Sequence, residues 1–491
     1  MGGESSDYPI VPLKPGNSPH EDPLEGRGAE WQLQLLRSCS NVTSELKERK
    51  MAKGPTSAEI STKLQRIAEQ AKTAPEMVFR NLAHHIDPGF LREAYRQIRK
   101  NGAPGVDGQT RDSYEANLEM NLQSLWERMK SGCYKAPPVK RVYIPKGDKS
   151  DEVRPIGIPT LEDKIAQKSV AMVLEAIYEQ DFLDCSYGFR PGRSAHQALQ
   201  ALWDRTMDMN GGWVLDVDIK GFFDNVEHQH LRDILDLRVQ DRGLRRMIGK
   251  WLKAGVLEGE NLYFPDLGTP QGGVISPILA NIYLHEVVDK WFHETVQPRL
   301  YGAAFMVRYA DDLVMVFSSE KDALRVKSAL TKRCARFGLE LHPEKTRLLH
   351  FQRPVKAEKK TNAETFDFLG FTHCWKKSRK GFWYVTRRTG KVRLRRALVA
   401  IETWCKKNRS RLKVKQQHRM LCKKIQGHYN YYGITGNYDG LMRFYRASVR
   451  SWRKWLDRRS RKANVTWTKM KRILCVYPLP EPKIVKSVYV R

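Results

Sequence analysis

The sequence predicts an α+β fold followed by a basic helical region, on three observations. Leu161–Tyr178 and Ala195–Met207 carry long helical patterns. Between Gly211 and Phe317, short β-rich segments mix with helices in no regular β-α order. After Phe371 acidic residues nearly vanish while apolar residues keep recurring at helical spacing. The 491 residues suggest two to four domains, and a charged but aromatic-rich composition (86 Lys+Arg, 55 Asp+Glu, 10% aromatic) excludes a chain disordered overall.

Taken in order, residues 1–54 are rich in Pro, Gly, Ser and charge without sustained periodicity, which predicts a flexible leader with one short helix near Trp31–Leu36. The capping box Thr56-x-x-Glu59 opens a helix with Ile60, Leu64, Ile67 and Ala71 on one face, and Pro88–Lys100 forms a second, ended by the turn residues Asn101–Gly105. No eighteen-residue apolar run is present, so no membrane partner is expected. The first residues lack a basic segment followed by an apolar one, which predicts a cytoplasmic protein without a secretory signal. Eight cysteines without a C-x-x-C pair predict reduced thiols rather than disulfides or structural zinc.

The charge is localised. Lys376–Cys475 holds 31 Lys and Arg against three acids, a net of +28, whereas the rest of the chain is nearly neutral at +3. Trp383, Trp404, Tyr429, Tyr431, Tyr432, Trp452, Trp455 and Trp467 lie among these cations, as a surface that tracks phosphates and stacks bases requires. The spacing predicts a helix over Leu441–Leu456, with Leu441, Tyr445, Ser448, Val449, Trp452, Trp455 and Leu456 on one side and Arg443, Arg446, Arg450, Arg453 and Lys454 on the other.

Carboxylates carry the chemistry. In Trp213–Lys220, strand alternation places Trp213, Leu215, Val217 and Ile219 on one face and Val214, Asp216, Asp218 and Lys220 on the other. Val307–Phe317 reads as apolar strand, tight acidic turn and apolar strand, a hairpin with Asp311 and Asp312 at its tip. Acids at the ends of buried strands need compensation, and hard oxygen ligands favour Mg²⁺. One carboxylate facing a pair suits two metals about 4 Å apart, one activating a 3′-hydroxyl and the other holding triphosphate oxygens. Alternation alone allows either Asp216 or Asp218 to be the partner of that pair.

The string YADD at Tyr309–Asp312 resembles the Y-A-D-D box of reverse transcriptases, and the ordered array around it resembles the reverse transcriptase/maturase encoded by bacterial group II introns. The strings are NGAPGVDG (101–108), RPIGIPT (154–160), SYGFRPGRS (186–194), DIKGFFD (218–224), GTPQGGVISPILAN (268–281) and FLGF (368–371). The resemblance runs from about Met77 to about Arg459 and implies a right-hand polymerase with fingers, palm and thumb. Its domains would be N-terminal helices and fingers over 55–210, palm over 211–375, a basic helical thumb or maturase X domain over 376–459, and a short basic tail over 460–491. It assigns Asp218, Asp311 and Asp312 to catalysis and to two Mg²⁺, for which Mn²⁺ would substitute, and treats Asp216 and Asp224 as structural.

For the incoming nucleotide the resemblance implies Phe222 as the gate against a 2′-hydroxyl, with Phe223 as the fallback, together with Gln271, Lys140, Lys146 and Lys164. Lys140 and Lys164 stand where relatives often carry Arg, so a point charge replaces a bidentate fork there. Template and primer would be held by Arg154, Arg190 and Arg193, by the primer grip at Phe368, Leu369 and Gly370, and by Arg443, Arg446, Arg450 and Arg453. For the three fingers arginines a structural ion pair is the competing reading. GHYNYYG (427–433) resembles the aromatic core motif of the X domain. The implied activity is RNA-directed DNA synthesis from dNTPs on an RNA template and a DNA primer or target, with binding and splicing of a group II intron RNA. The competing readings are a domesticated reverse transcriptase of phage defence or repair, and an RNA-binding maturase without a polymerase role.

Overall fold

The computed structural model describes residues 57–145, 153–259, 261–263, 268, 272–354, 364–460 and 463–487. The leader, the Trp31–Leu36 helix, the Thr56 cap, Lys146 and Gln271 lie outside these.

Helix α1 (Ser57–Thr73) buries Ile60, Ile67 and Ala71, as the spacing predicts. Helix α2 (Pro88–Gln97) starts at Asp87, whose carboxylate accepts from Phe90 N, and places Pro at its first position, where the missing N–H costs nothing. It ends before the predicted Lys100 because Ile98 is extended, with ψ 143°. Helices α3 (Arg111–Glu115) and α4 (Leu118–Ser131) lead to a hairpin of β1 (Val139–Pro145) and β2 (Val153–Ile158). Helix α5 (Leu161–Asp181), capped by Thr160, lies largely buried, with Asp163, Gln167 and Ser169 buried among its apolar residues, and Ser194 caps α6 (Ala195–Asp208).

β3 (Trp213–Val217) is followed by a four-residue turn of helix, α7 (Phe222–Asn225), then α8 (His228–Asp236) and α9 (Arg242–Leu252). Two short strands, β4 (Val256–Glu258) and β5 (Asn261–Tyr263), complete a first sheet in the order β2-β1-β4-β5. α10 (Ser276–Leu284) is buried and runs on into π-helical turns at His285–Asp289 and Trp291–Val296.

The second sheet is the centre of the fold. β6 (Ala304–Tyr309), β7 (Asp312–Phe317) and β8 (Arg347–His350) join β3 in the order β6-β7-β3-β8, every pair antiparallel. Leu215, Val217, Met315 and Phe317 face a core shared with the helices, including α11 (Glu320–Arg336), while Val214, Val307, Val314 and Val316 face a second core. Burial on both faces explains why β7 reads as a continuous apolar run.

Across the second core lies a third sheet, β11-β10-β9, from β9 (Phe366–Phe368), β10 (Phe371–Lys377) and β11 (Trp383–Thr389). The loss of acidic residues after Phe371 therefore coincides with the start of β10, and the expected boundary at 375 falls inside that strand. Backbone hydrogen bonding carries the sheet across the charge break.

The third core joins α12 (Lys391–Asn408), α13 (Val414–Tyr432), α14 (Tyr438–Asp457) and α15 (Trp467–Val476). α14 extends the predicted Leu441–Leu456 helix by a few residues, and Phe444 is buried while Tyr445 stays half-buried. Burying Leu441, Phe444 and Trp452 stabilises the packing by roughly 1.5–3 kcal/mol per side chain. The chain after α15 returns to this core. Tyr429 Oη donates to Pro480 O, and Ile434 pairs in parallel with Lys486. Among the described residues the seven cysteines are free thiols, and no helix is long and apolar enough to cross a membrane.

Candidate active site

The hairpin at the sheet centre is built as the sequence predicts. Tyr309 pairs with Asp312, leaving Ala310 and Asp311 as a two-residue loop. Ala310 has φ +56°, the positive value that tight hairpin loops require and that a residue with a Cβ adopts under strain. On the neighbouring strand, Val217 lies opposite Leu313, so the next step along the register sets Asp218 beside Asp312. Asp218 and Asp312 thus lie at the ends of two hydrogen-bonded strands, in a groove of about 560 Å³ that they and Asp216 help to line, with Asp311 next to Asp312 in the hairpin loop.

Asp216 and Asp218 have different partners. Arg347, opposite Asp216 on β8, reaches its carboxylate at 3.3 Å. Asp218, one residue past β3, has its backbone held by the loop before β8: its carbonyl accepts from His342 N at 2.7 Å. Lys345 Nζ lies 3.1 Å from Asp218 Oδ2. Nothing local in the sequence announces this contact, because 127 residues separate the two side chains.

Burial and neighbouring carboxylates dominate the electrostatics of the site. Burial first, then Asp311, Asp218 and Asp216, push the Asp312 carboxyl up to about 6. Burial also raises Asp311, with Asp218 adding to the rise and Arg154 opposing it, which places Arg154 within electrostatic reach of the hairpin tip. Burial raises Asp216 to about 6 against the pull of Arg347. A carboxylate raised in the folded state gives up stability as pH rises from its unfolded value, near 3.8, through about 6. In chelator, Asp312→Asn should therefore melt above wild type at pH 8, with the gap narrowing below pH 6 and closing near pH 4. An Asn variant that melts lower at pH 8 would contradict this.

Among the described residues no group of three or more His, Cys, Asp or Glu side chains is gathered closely enough to hold a metal ion. The donors are nevertheless all carboxylate oxygens under mutual repulsion, with a lysine ammonium against one of them. In charge and hardness they fit a divalent cation such as Mg²⁺.

The remaining predicted residues divide. Leu369 and Gly370 join β9 to β10 as a two-residue loop with φ +49° and +81°, and with Phe368 they form one wall of the same groove. Leu369 O accepts from Tyr431 Oη at 2.8 Å, and Gly370 O from Gly390 N at 2.9 Å. Arg393, not predicted, joins that wall. Lys140 is exposed on β1, and Lys164 Nζ donates to Ala103 O at 2.6 Å. Arg193 pairs with Asp184 at 2.6 Å.

Three expectations need correction. Phe222 is only 2% exposed, packed on Tyr283, whereas Phe223 is half-buried, so the fallback is the more accessible of the two aromatics. The cause is Gly221 at φ +54°, which ends strand alternation and starts a helical turn. Arg190 is buried, with its guanidinium on Glu179, Leu183 O and Ser186 O, so it closes its own loop instead of facing a template. Arg453 donates to Val465 O at 2.9 Å and covers Trp467, while Arg443, Arg446 and Arg450 are exposed.

The sequence matches the reverse transcriptase (RNA-dependent DNA polymerase) family over residues 144–373, which span the two central strands, the hairpin and the FLGF loop. Protein YkfC of Escherichia coli strain K12 is 33% identical over 359 residues, covering 66% of this chain and 90% of YkfC. Group II intron-encoded protein LtrA of Lactococcus lactis subsp. cremoris is 39% identical over 230 residues. The chain belongs to the group II intron reverse transcriptase/maturase family. Its alignment with LtrA covers 46% of this chain and 38% of LtrA, so the chain spans well under half of that relative. Nuclear intron maturase 4 of Arabidopsis thaliana is 27% identical over 52% of the chain. In this member of the group II intron family, the matched segment stops inside β10, and the basic helices α12 to α15 lie beyond it.

Proposed function

We propose that the protein is an RNA-directed DNA polymerase that extends a DNA primer on an RNA template with two Mg²⁺, and that it binds and assists the splicing of a group II intron RNA. What carries the reading is Asp218 beside Asp312 at adjoining strand ends, in a groove walled by the Leu369-Gly370 loop, with Asp311 next to Asp312 at the hairpin tip. The first sheet and its helices serve as fingers, the central sheet as palm, and α12 to α14 as thumb.

Asp218, Asp311 and Asp312 would hold the ions, whose chemistry there would be to activate the primer hydroxyl and neutralise the triphosphate. The chain's own part is placement. The β3–β7 register sets Asp218 beside Asp312, the sheet excludes water from behind them, and Lys345 Nζ, 3.1 Å from Asp218 Oδ2, orients that carboxylate. Lys140, Lys164 and Arg154 supply positive charge on the fingers side for phosphates, with Lys146 and Gln271 assigned there by resemblance. The exposed arginines of α14 hold template, primer and intron backbone. Nothing in the geometry favours the domesticated or polymerase-free readings.

Primer extension on an RNA template, with dNTPs or rNTPs, tests the reading and separates the two phenylalanines. Phe223→Ala is expected to keep DNA synthesis while raising ribonucleotide incorporation about tenfold, since a pocket that merely clashes with a hydroxyl discriminates by roughly one to two orders of magnitude. Phe222→Ala should leave sugar selection unchanged and lower stability by about 3–5 kcal/mol, as a buried aromatic deletion does. The reverse pattern would restore Phe222 as the gate.

A further inference from the structure

One side chain reaches the catalytic loop from inside the protein. Arg308, the penultimate residue of β6, is 1% exposed, and its partner Asp289 in the first π-helical turn is 0% exposed. Arg308 Nε donates to Asp289 Oδ1 at 2.7 Å, and Nη2 donates to Oδ2 of the same carboxylate. The remaining amine, Nη1, donates to Asn281 Oδ1 and to Ala310 O, each at 3.0 Å. Asn281 Nδ2 in turn donates to Gly188 O at 2.7 Å. Gly188 backs directly onto the loop, for a Cβ there would lie 2.3 Å from Ala310 N.

Stability alone explains this arrangement poorly. A buried ion pair is often no better for the fold than apolar side chains of the same volume, because both charges lose their water. Here the guanidinium also clamps the carbonyl of Ala310, the residue in the strained positive-φ conformation immediately before Asp311. A loop under strain persists only where its surroundings over-determine it. Arg308, Asn281 and Gly188 surround this one, and the π-helical turn brings Asp289 to hold the arginine in place.

We propose that Arg308, braced by Asp289 and Asn281, is a positioning residue that locks the Ala310–Asp311 loop so that Asp311 and Asp312 keep the spacing a divalent cation requires. The inference rests on the reading that these carboxylates hold divalent cations. It assigns the arginine no contact with substrate.

The test uses the full chain with Arg308→Lys and Asn281→Ala. Mn²⁺ affinity is read by paramagnetic resonance, the Mg²⁺ requirement by primer extension, and template–primer affinity in chelator. Arg308→Lys keeps a charge for Asp289 but loses the fork. It should weaken Mn²⁺ binding and raise the half-saturating Mg²⁺ concentration by roughly 10- to 100-fold, the scale seen when groups that orient metal ligands are removed. Template–primer binding should stay unchanged. Asn281→Ala leaves the Asp289 pair intact and should move both quantities the same way by a smaller factor, which keeps the inference testable if Arg308→Lys does not fold. Wild-type Mn²⁺ affinity and Mg²⁺ requirement in the folded variants would overturn it. So would loss of template–primer binding in step with activity at unchanged Mn²⁺ affinity. A wild-type protein that binds Mn²⁺ but makes no DNA defeats the polymerase reading alone, and the Mn²⁺ measurement still decides the brace. A wild-type protein that binds no Mn²⁺ overturns the brace as well.

Discussion

Asp218→Asn, Asp311→Asn and Asp312→Asn should each cut DNA synthesis on an RNA template by roughly a thousandfold or more, the scale lost when preorganised charge is taken from a reaction centre. Asn keeps the shape of the side chain and removes the charge, so folding should survive, and for Asp312 the fold should gain because no charge is buried there and repulsion from Asp311 and Asp218 is relieved. Asp216→Asn serves as the control: its carboxylate is engaged by Arg347, and a modest loss is expected there. A deep loss for Asp216 with activity retained in Asp218→Asn would exchange the two roles. The same Asp312→Asn protein should still bind a cognate intron RNA and promote its splicing at low Mg²⁺, because the exposed arginines lie on other elements. If wild-type protein accelerates no intron from its source genome, the splicing half of the proposal falls and a domesticated polymerase replaces it.

The second large effect concerns the basic helices. Replacing Arg443, Arg446 and Arg450 together by Glu should weaken RNA binding by roughly two to three orders of magnitude at low salt. It should also flatten the log–log salt dependence by about two to three, near one released counterion per lost phosphate contact. These three side chains are exposed on the face of α14 opposite Leu441, Phe444, Val449 and Trp452, so their reversal leaves the third core intact. Arg453 is left out because its bond to Val465 O would confuse a binding defect with an unfolding one. An unchanged salt slope would show that the cationic face is only solvated.

Strand periodicity made the carboxylates legible. Asp218 and the Asp311–Asp312 pair could be placed because alternation and an apolar-acidic-apolar pattern are local signals, and the register of β3 against β7 then brings them together. The Phe222–Phe223 choice failed at the one residue where the period changes from two to 3.6, which Gly221 permits through its left-handed backbone. Arg190 and Arg453 were misplaced for another reason. A basic residue gives no local sign of whether its charge points to solvent or to a carbonyl several residues away. Lys345 on Asp218 and Arg308 on Asp289 are tertiary facts, set by how separate elements pack and not by any local periodicity.

The strands that straddle the charge break constrain how this chain can change as a gene. A crossover near residue 375, where composition shifts most sharply, would cut β10 and separate it from β11, its partner along seven paired positions. It would also exchange Tyr431 and Gly390, whose bonds hold the Leu369-Gly370 loop from the basic side. Recombinants joined there would inherit a groove wall from one parent and its supports from another. Junctions that leave β9 through α13 in one piece are the ones expected to yield functional hybrids, so the basic helices and the FLGF loop should be inherited as a single block.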